Sequence, residues 1–334
     1  MNTTSQAFNI HTLRVLNRFA IVLALLITLF HIPLIYADAQ FDEIRTKALQ
    51  GDAESQDNLC SLFGRGAGVA QDYKEAAKWC RKAAEQGLAR TQFALGVYYF
   101  NGHGVDQDYK EAVKWYRKSA EQGYADAQYG LGYMYELSLG VVQDYAEAMR
   151  LYRLSAEQGN NAAQNAIGML YYEGQGVTQN NALALQWYRK AAEQGYPAAQ
   201  FNIGVMYYNG DGGWGGYKEV EYWFRKAAEQ GFASAQFNLG LMYDKGQYVK
   251  QDYTEAAKWY RKAAEQNHIK AQYALGYMYR DGKGVPKDEK EFFKWIGKAD
   301  MQREWPRTGW MGAVRAIFGY TTGYFIMRMI RSLW

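Results

Sequence analysis

Between Asp108 and Gln122 the apolar positions Ala112, Trp115 and Tyr116, with the small Ser119, fall at i, i+3, i+4 and i+7. That spacing predicts one face of an α-helix. Upstream, the run from Thr91 to Phe100 predicts a second helix, closed by Gly102 and Gly104 because glycine tolerates a left-handed cap. Asp108, with Glu111 three residues on, predicts an Asp-x-x-Glu capping box at the next start, and Gly123 ends that helix. The pattern is therefore helix, glycine loop, helix, and it recurs with an ungapped period of 36 residues. Gly51, Gly87, Gly123, Gly159, Gly195, Gly231 and Asn267 open seven successive units. Three further columns stay in phase. One is glutamine in every unit, from Gln56 and Gln92 to Gln272; one runs Phe63, Tyr99 to Tyr279; one is Trp79, Trp115, Trp187, Trp223, Trp259 and Trp295, with Leu151 the exception. A single helix pair cannot bury its apolar face, so neighbouring units must stack.

Several motifs carry a family resemblance: Ala-x-Ala-Gln-x-x-Leu-Gly-x-x-Tyr, Gly-x-Gly-Val, Asp-Tyr-x-Glu-Ala and Trp-Tyr-Arg-Lys-Ala-Ala-Glu-Gln-Gly. The units resemble the Sel-one-like repeat, a relative of the tetratricopeptide repeat, over 51–302. The resemblance implies an all-α, right-handed solenoid of seven helix-turn-helix repeats whose first helices line a concave surface. It also implies a scaffold or adaptor role toward protein partners, in the envelope or beyond for exported bacterial members. Ser138 and Tyr248 replace loop glycines, and Ile296, Gly297 and Asp300 depart from the pattern in the last unit. Residues 40–50, ending Thr46-Lys-Ala-Leu-Gln50, echo the end of a second helix and are expected to be a half-unit cap.

Length alone, 334 residues, would suggest about two ordinary domains, and the period replaces that with one array. The net charge of +4 raises the question of nucleic acid. Arg14, Arg18 and Asp38 leave residues 1–39 one charge positive, and Arg303, Arg307, Arg315, Arg328 and Arg331 against Glu304 leave 303–334 four positive. The array is thus one charge negative, which removes the support for nucleic-acid binding. The N-terminus orders Arg14 and Arg18, an apolar run Phe19–Phe30, then Ala37-Asp38-Ala39. Residues 1–39 therefore read as a secretory signal cleaved after Ala39 or Ala37, and the protein as periplasmic or secreted. The competing reading is an uncleaved anchor over Phe19 to Tyr36.

Both cysteines lie in the first unit. Cys60 takes the column that is Gly96 in the next unit and glycine in all others; Cys80 takes the column of Tyr116, Tyr152, Tyr188, Phe224, Tyr260 and Ile296. A glycine on one helix can seat a ring from its partner, and here cysteine replaces both members. The expectation is a Cys60–Cys80 disulfide in an oxidising compartment; the alternative is two buried thiols.

Catalytic chemistry is sparse. Gly210-Asp-Gly-Gly-Trp-Gly215 matches G-x-G-x-x-G but follows a helix rather than a strand, so it reads as an ordinary interhelix loop. His103 and His268 sit in different units, and no H-E-x-x-H, G-x-S-x-G or S-x-x-K occurs. No metal, cofactor or enzymatic activity is expected, a hydrolase-type envelope enzyme or subunit being the least favoured class. In tetratricopeptide geometry three columns of the first helix face the groove. They supply the candidate peptide-binding residues Phe93, Tyr129, Tyr133, Tyr172, Phe201, Tyr208, Phe237 and Tyr273, with packing between repeats as the competing role. The tail 303–334 is not a repeat. It carries Trp310, Arg315, Phe318, Phe325, Arg328 and Arg331, and it reads as a cap on the last repeat, a basic aromatic segment on a membrane surface, or a partner dock. The membrane reading would make the chain an envelope regulator.

Overall fold

The computed structural model describes residues 40–213 and 216–304. Among these every regular element is a helix, and they fall into two compact units, the chain dividing between Asp144 and Tyr145. The first unit holds α1 (40–49), α2 (Ala53–Arg65), α3 (Tyr73–Glu85), α4 (Ala89–Asn101), α5 (Tyr109–Glu121) and α6 (Ala125–Glu136). The second holds α7 (Tyr145–Glu157), α8 (Asn161–Glu173), α9 (Asn181–Glu193), α10 (Pro197–Asn209) and α11 (Tyr217–Glu229), followed by α12 (Ala233–Lys245), α13 (Tyr253–Glu265), α14 (Ile269–Asp281) and α15 (Glu289–Glu304). Within each unit, consecutive helices from α2 onward pack on one another. This is the all-α repeat class expected from the period.

Local chemistry sets the helix ends. The Asp108 carboxylate accepts the backbone N–H groups of Lys110 and Glu111 at 2.9 and 3.1 Å, satisfying donors that the first turn of α5 leaves open. Glu111 does not complete a box in the expected way. Its carboxylate takes Lys114 Nζ at 3.0 Å, one turn along. Gly102 closes α4 at φ 70°, and its N–H returns to the Tyr98 carbonyl. Gly104, also at φ 70°, has a further reason to lack a side chain: a Cβ there would run into the Tyr73 carbonyl at the start of α3. The loop of one repeat thus rests on the second helix of the repeat before it. Ser138 and Tyr248 hold the same left-handed region without glycine, at φ 57° and 66°, and Ser138 Oγ donates to the Val141 carbonyl at 3.1 Å.

Leu59, Leu95, Ile167, Ile203, Leu239 and Leu275 occupy one column and are fully buried. Each such side chain contributes roughly 1.5–3 kcal/mol by leaving water. Beside them, glycine on the first helix seats a ring from the second. A Cβ on Gly168, Gly204 or Gly240 would lie 2.6–2.7 Å from the rings of Tyr188, Phe224 or Tyr260. In the first repeat the structure joins Cys60 and Cys80 through their sulfurs, with Cα atoms 4.9 Å apart. At the N-terminal end, α1 lies against α2: Phe41 meets Phe63 edge-on at 6.0 Å, Ala48 is buried, and Gln56 Nε2 donates to the Ala48 carbonyl at 3.0 Å.

Candidate functional site

The first helices, α2, α4 and α6 in one unit and α8, α10, α12 and α14 in the other, present the three columns expected to meet a partner. Their exposure is graded. Along the first column, Phe93 stacks on Tyr116 at 5.5 Å and touches Tyr124 at the same distance. Phe201 lies 5.6 Å from Phe224 and 5.3 Å from Phe232, and Phe237 lies 5.7 Å from Tyr260 and 4.9 Å from His268. These rings are half-buried wedges between the core ring of a second helix and the residue that opens the next first helix. Tyr273 donates its hydroxyl to the Asp300 carboxylate on α15, so that departure from the repeat pattern has a local partner. Tyr129 is half-buried.

The second and third columns reach further out. Tyr133 is half-buried and meets Phe100 edge-on at 6.3 Å. Tyr208 and Tyr277 are 43% and 44% exposed, large rings left within reach of solvent. Tyr172 donates to Asp211 Oδ2 at 2.9 Å and accepts from Asn209 Nδ2 at 3.1 Å, while Asn181 Nδ2 holds the other Asp211 oxygen at 3.0 Å. Burial holds the Tyr172 hydroxyl above its ordinary pKa, so it stays a donor at neutral pH. Deeper in the same unit, Asn202 Nδ2 donates to Asn165 Oδ1 at 2.9 Å. The face therefore offers rings beside side-chain amides, a combination suited to apolar side chains and peptide groups. Asn181, Asn202, Asn209 and Asp211 were not among the expected residues. The one sequence signal for them is Asn165, a polar residue in an otherwise largely aromatic column.

Chemistry of other kinds has little to work with. Among the described residues no group of three or more His, Cys, Asp and Glu stands close enough to hold a metal ion, and no helix is long and apolar enough to cross a membrane. The N-terminal segment 1–39, Trp214 and the tail residues Trp310, Arg315, Phe318, Phe325, Arg328 and Arg331 lie outside the described residues.

A model of the Sel1 repeat matches the sequence seven times, at 53–88, 89–124, 125–160, 161–196, 197–232, 233–268 and 269–299. The chain belongs to the Sel1 repeat family. Solved structures similar to it include two with more than a third of the aligned residues identical. One is a Sel1 repeat protein from Oxalobacter formigenes, 36% identical, aligned over 79% of this chain and 77% of that one, with a TM-score of 0.67. The other is c5321, a protective antigen of uropathogenic Escherichia coli with the same repeat fold, 39% identical over 78% of this chain, with a TM-score of 0.61. This chain spans 56% of the E. coli protein's length. No curated protein matches the sequence.

The glutamine that never varies among the seven Sel1 repeats has a structural cause. Gln92 is buried on α4; its Nε2 donates to the Ala84 carbonyl at the end of α3, and its Oε1 accepts Gln122 Nε2 from the end of α5 at 2.7 Å. One amide thus ties together three helices, and the same pair of bonds recurs at Gln200 and Gln236. A second inter-repeat bond joins arginine to tyrosine: Arg117 Nη2 donates to Tyr135 Oη at 2.9 Å, Arg153 to Tyr171 at 3.0 Å and Arg189 to Tyr207 at 2.8 Å. On the second helices, lysines ride over the tryptophan column, with Lys190 4.0 Å from the Trp187 ring and Lys262 4.1 Å from Trp259. These recurring contacts account for the conspicuous columns as structure.

Proposed function

We propose that this Sel1 repeat protein is an exported scaffold that holds a peptide or protein partner against its first-helix faces. Sel1 repeat proteins are generally protein–protein interaction scaffolds. The observation that carries the reading is the reachable rings of each unit, Tyr133 in the first and Tyr172, Tyr208 and Tyr277 in the second, mounted on helices whose backs are locked by the repeat's own bonds. Rings fixed in this way lose little entropy when they meet a partner. Phe93, Tyr129, Phe201, Phe237 and Tyr273 set the depth of that face, their inner edges committed to packing and their outer edges available for contact. The basic N-terminal run ahead of Ala37-Asp38-Ala39 supports export, as does the description of the E. coli relative as a protective antigen.

Replacing Tyr133, Tyr172 and Tyr208 together by alanine tests the reading. Crosslinking and mass spectrometry on the native envelope fraction is expected to recover a reproducible protein partner with the wild type and to lose it with the variant, at a Tm within a few degrees. A partner retained by the variant removes the face from the proposal. Fractionation with N-terminal sequencing of the mature protein tests export. A chain found in the cytoplasm with residues 1–39 intact overturns it.

A further inference from the structure

The first repeat differs from the others on all three columns at once. Where α4 carries Phe93, Val97 and Phe100, α2 carries Asp57, Ser61 and Gly64. The missing side chains leave a cleft of about 370 Å³ between α2 and α4, large enough for one or two residues of a peptide. Its base includes Cys60, so the cross-link to Cys80 fixes that wall. Tyr98 lines the opposite side, its hydroxyl close over Gly64, where any Cβ would collide with it.

The charges in this cleft set it apart from the other repeats. Asp57 is only 5% exposed, in a column where most repeats place a ring. A buried carboxylate is costly unless fully paired. Asp57 is paired: Thr91 Oγ1 donates to one oxygen at 2.6 Å and the Arg90 guanidinium donates to the other. The consequence falls on Arg90, which is tethered at one nitrogen while its side chain stays 61% exposed at the cleft wall. Glu54 stands 3.9 Å from Arg90 on the outer rim and is itself well exposed. Arg65 lines the same cleft, is exposed, and has no ion-pair partner among the described residues. Two guanidinium groups, one of them held in place by a buried acid, line the cleft, where each can donate to a planar anion.

We propose that this cleft binds a carboxylate of the peptide partner, held between Arg65 and Arg90. The proposal rests on the peptide-binding reading of the first-helix faces and specifies its chemistry at the first repeat. Carboxylate can come from a peptide's C-terminus or from an acidic side chain, and the test separates them. Three short N-acetylated peptides of one sequence are titrated into the oxidised full chain by calorimetry: one with a free C-terminus, one amidated and containing glutamate, one amidated with glutamine in its place. At least one acidic peptide is expected to bind tenfold or more tightly than the uncharged one, with an advantage that shrinks as salt is raised. Arg65→Gln is expected to remove that advantage. So is Ser61→Tyr, which refills the cleft with the residue that α6 and α14 carry at this column and therefore folds. Equal binding of all three peptides, no binding of the acidic ones, or a preference that survives Ser61→Tyr overturns the proposal. A chain that keeps its carboxylate preference but captures no protein partner counts against the scaffold reading alone.

Discussion

Gly96 lies directly beneath the ring of Tyr116, so close that a Cβ on the glycine would sit 2.5 Å from Tyr116 Cδ1 and 2.6 Å from Cε1. The ring is 5% exposed and has no room to withdraw. Gly96→Ala should therefore destabilise by about 1–3 kcal/mol through overpacking, although alanine is the better helix former. Urea unfolding is the measurement. Adding Tyr116→Leu to the alanine variant should recover part of the loss, and a neutral Gly96→Ala would refute the tight seat.

Cys60 and Cys80 stand where the next repeat has that glycine and that ring, and they close a loop of 20 residues. In the chain-entropy description such a link contributes roughly 3 kcal/mol. Reductant should lower the Tm of the wild type by several degrees. The double variant Cys60→Gly, Cys80→Tyr restores the packing pair instead, and its Tm should be insensitive to reductant. Two reactive thiols in the oxidised, denatured wild type would show that no such link exists.

Gln92→Ala removes two bonds that join three helices, to the Ala84 carbonyl and from the Gln122 side chain, although each of those groups keeps a second partner at Gly87. The cost should be about 1–3 kcal/mol, larger than for alanine at exposed Gln107. Thermal unfolding of the two variants side by side decides it; equal effects would mean that the glutamine column has no structural role.

His268 caps α14, its Nδ1 accepting the Ala271 N–H at 3.2 Å, and accepting requires the neutral imidazole. Burial, with a smaller contribution from nearby Lys270, pushes its pKa below the usual value. A lowered folded pKa means the unfolded chain binds the proton first. The cap's stabilisation is therefore complete above the ordinary imidazole pKa, about 6.5, and is lost as pH falls through the folded value. His268→Asn copies Asn160, which caps α8 with Oδ1 at 2.9 Å from the Ala163 nitrogen. Between pH 7 and pH 5 the variant should lose less stability than the wild type. Parallel losses would detach the histidine from the pH response.

The sequence made the repeat phase plain because loop glycines and capping aspartates mark most boundaries at the same interval. The glycine–ring seat was legible too, since cysteine replaced both of its members in one repeat. Phasing the first helix was harder. Its apolar residues run nearly all the way round, so spacing alone could not separate Phe93, wedged on Tyr116, from Tyr208, which reaches solvent. The polar set around Tyr172 was hidden for another reason: Asn209 and Asp211 approach it from 37 and 39 positions away, across a repeat boundary. The cleft at Asp57, Ser61 and Gly64 was visible as three unusual letters, but only the structure shows that their absences add up to one space.

Each of the bonds that tie the repeats together reaches at most to the adjacent copy; the Arg117–Tyr135 pair spans 18 positions and the Gln92–Gln122 pair 30. A chain whose closures are this short need not wait for its far end. A few neighbouring repeats can stack while later ones are still being synthesised, and each completed copy is then the template on which the next one closes.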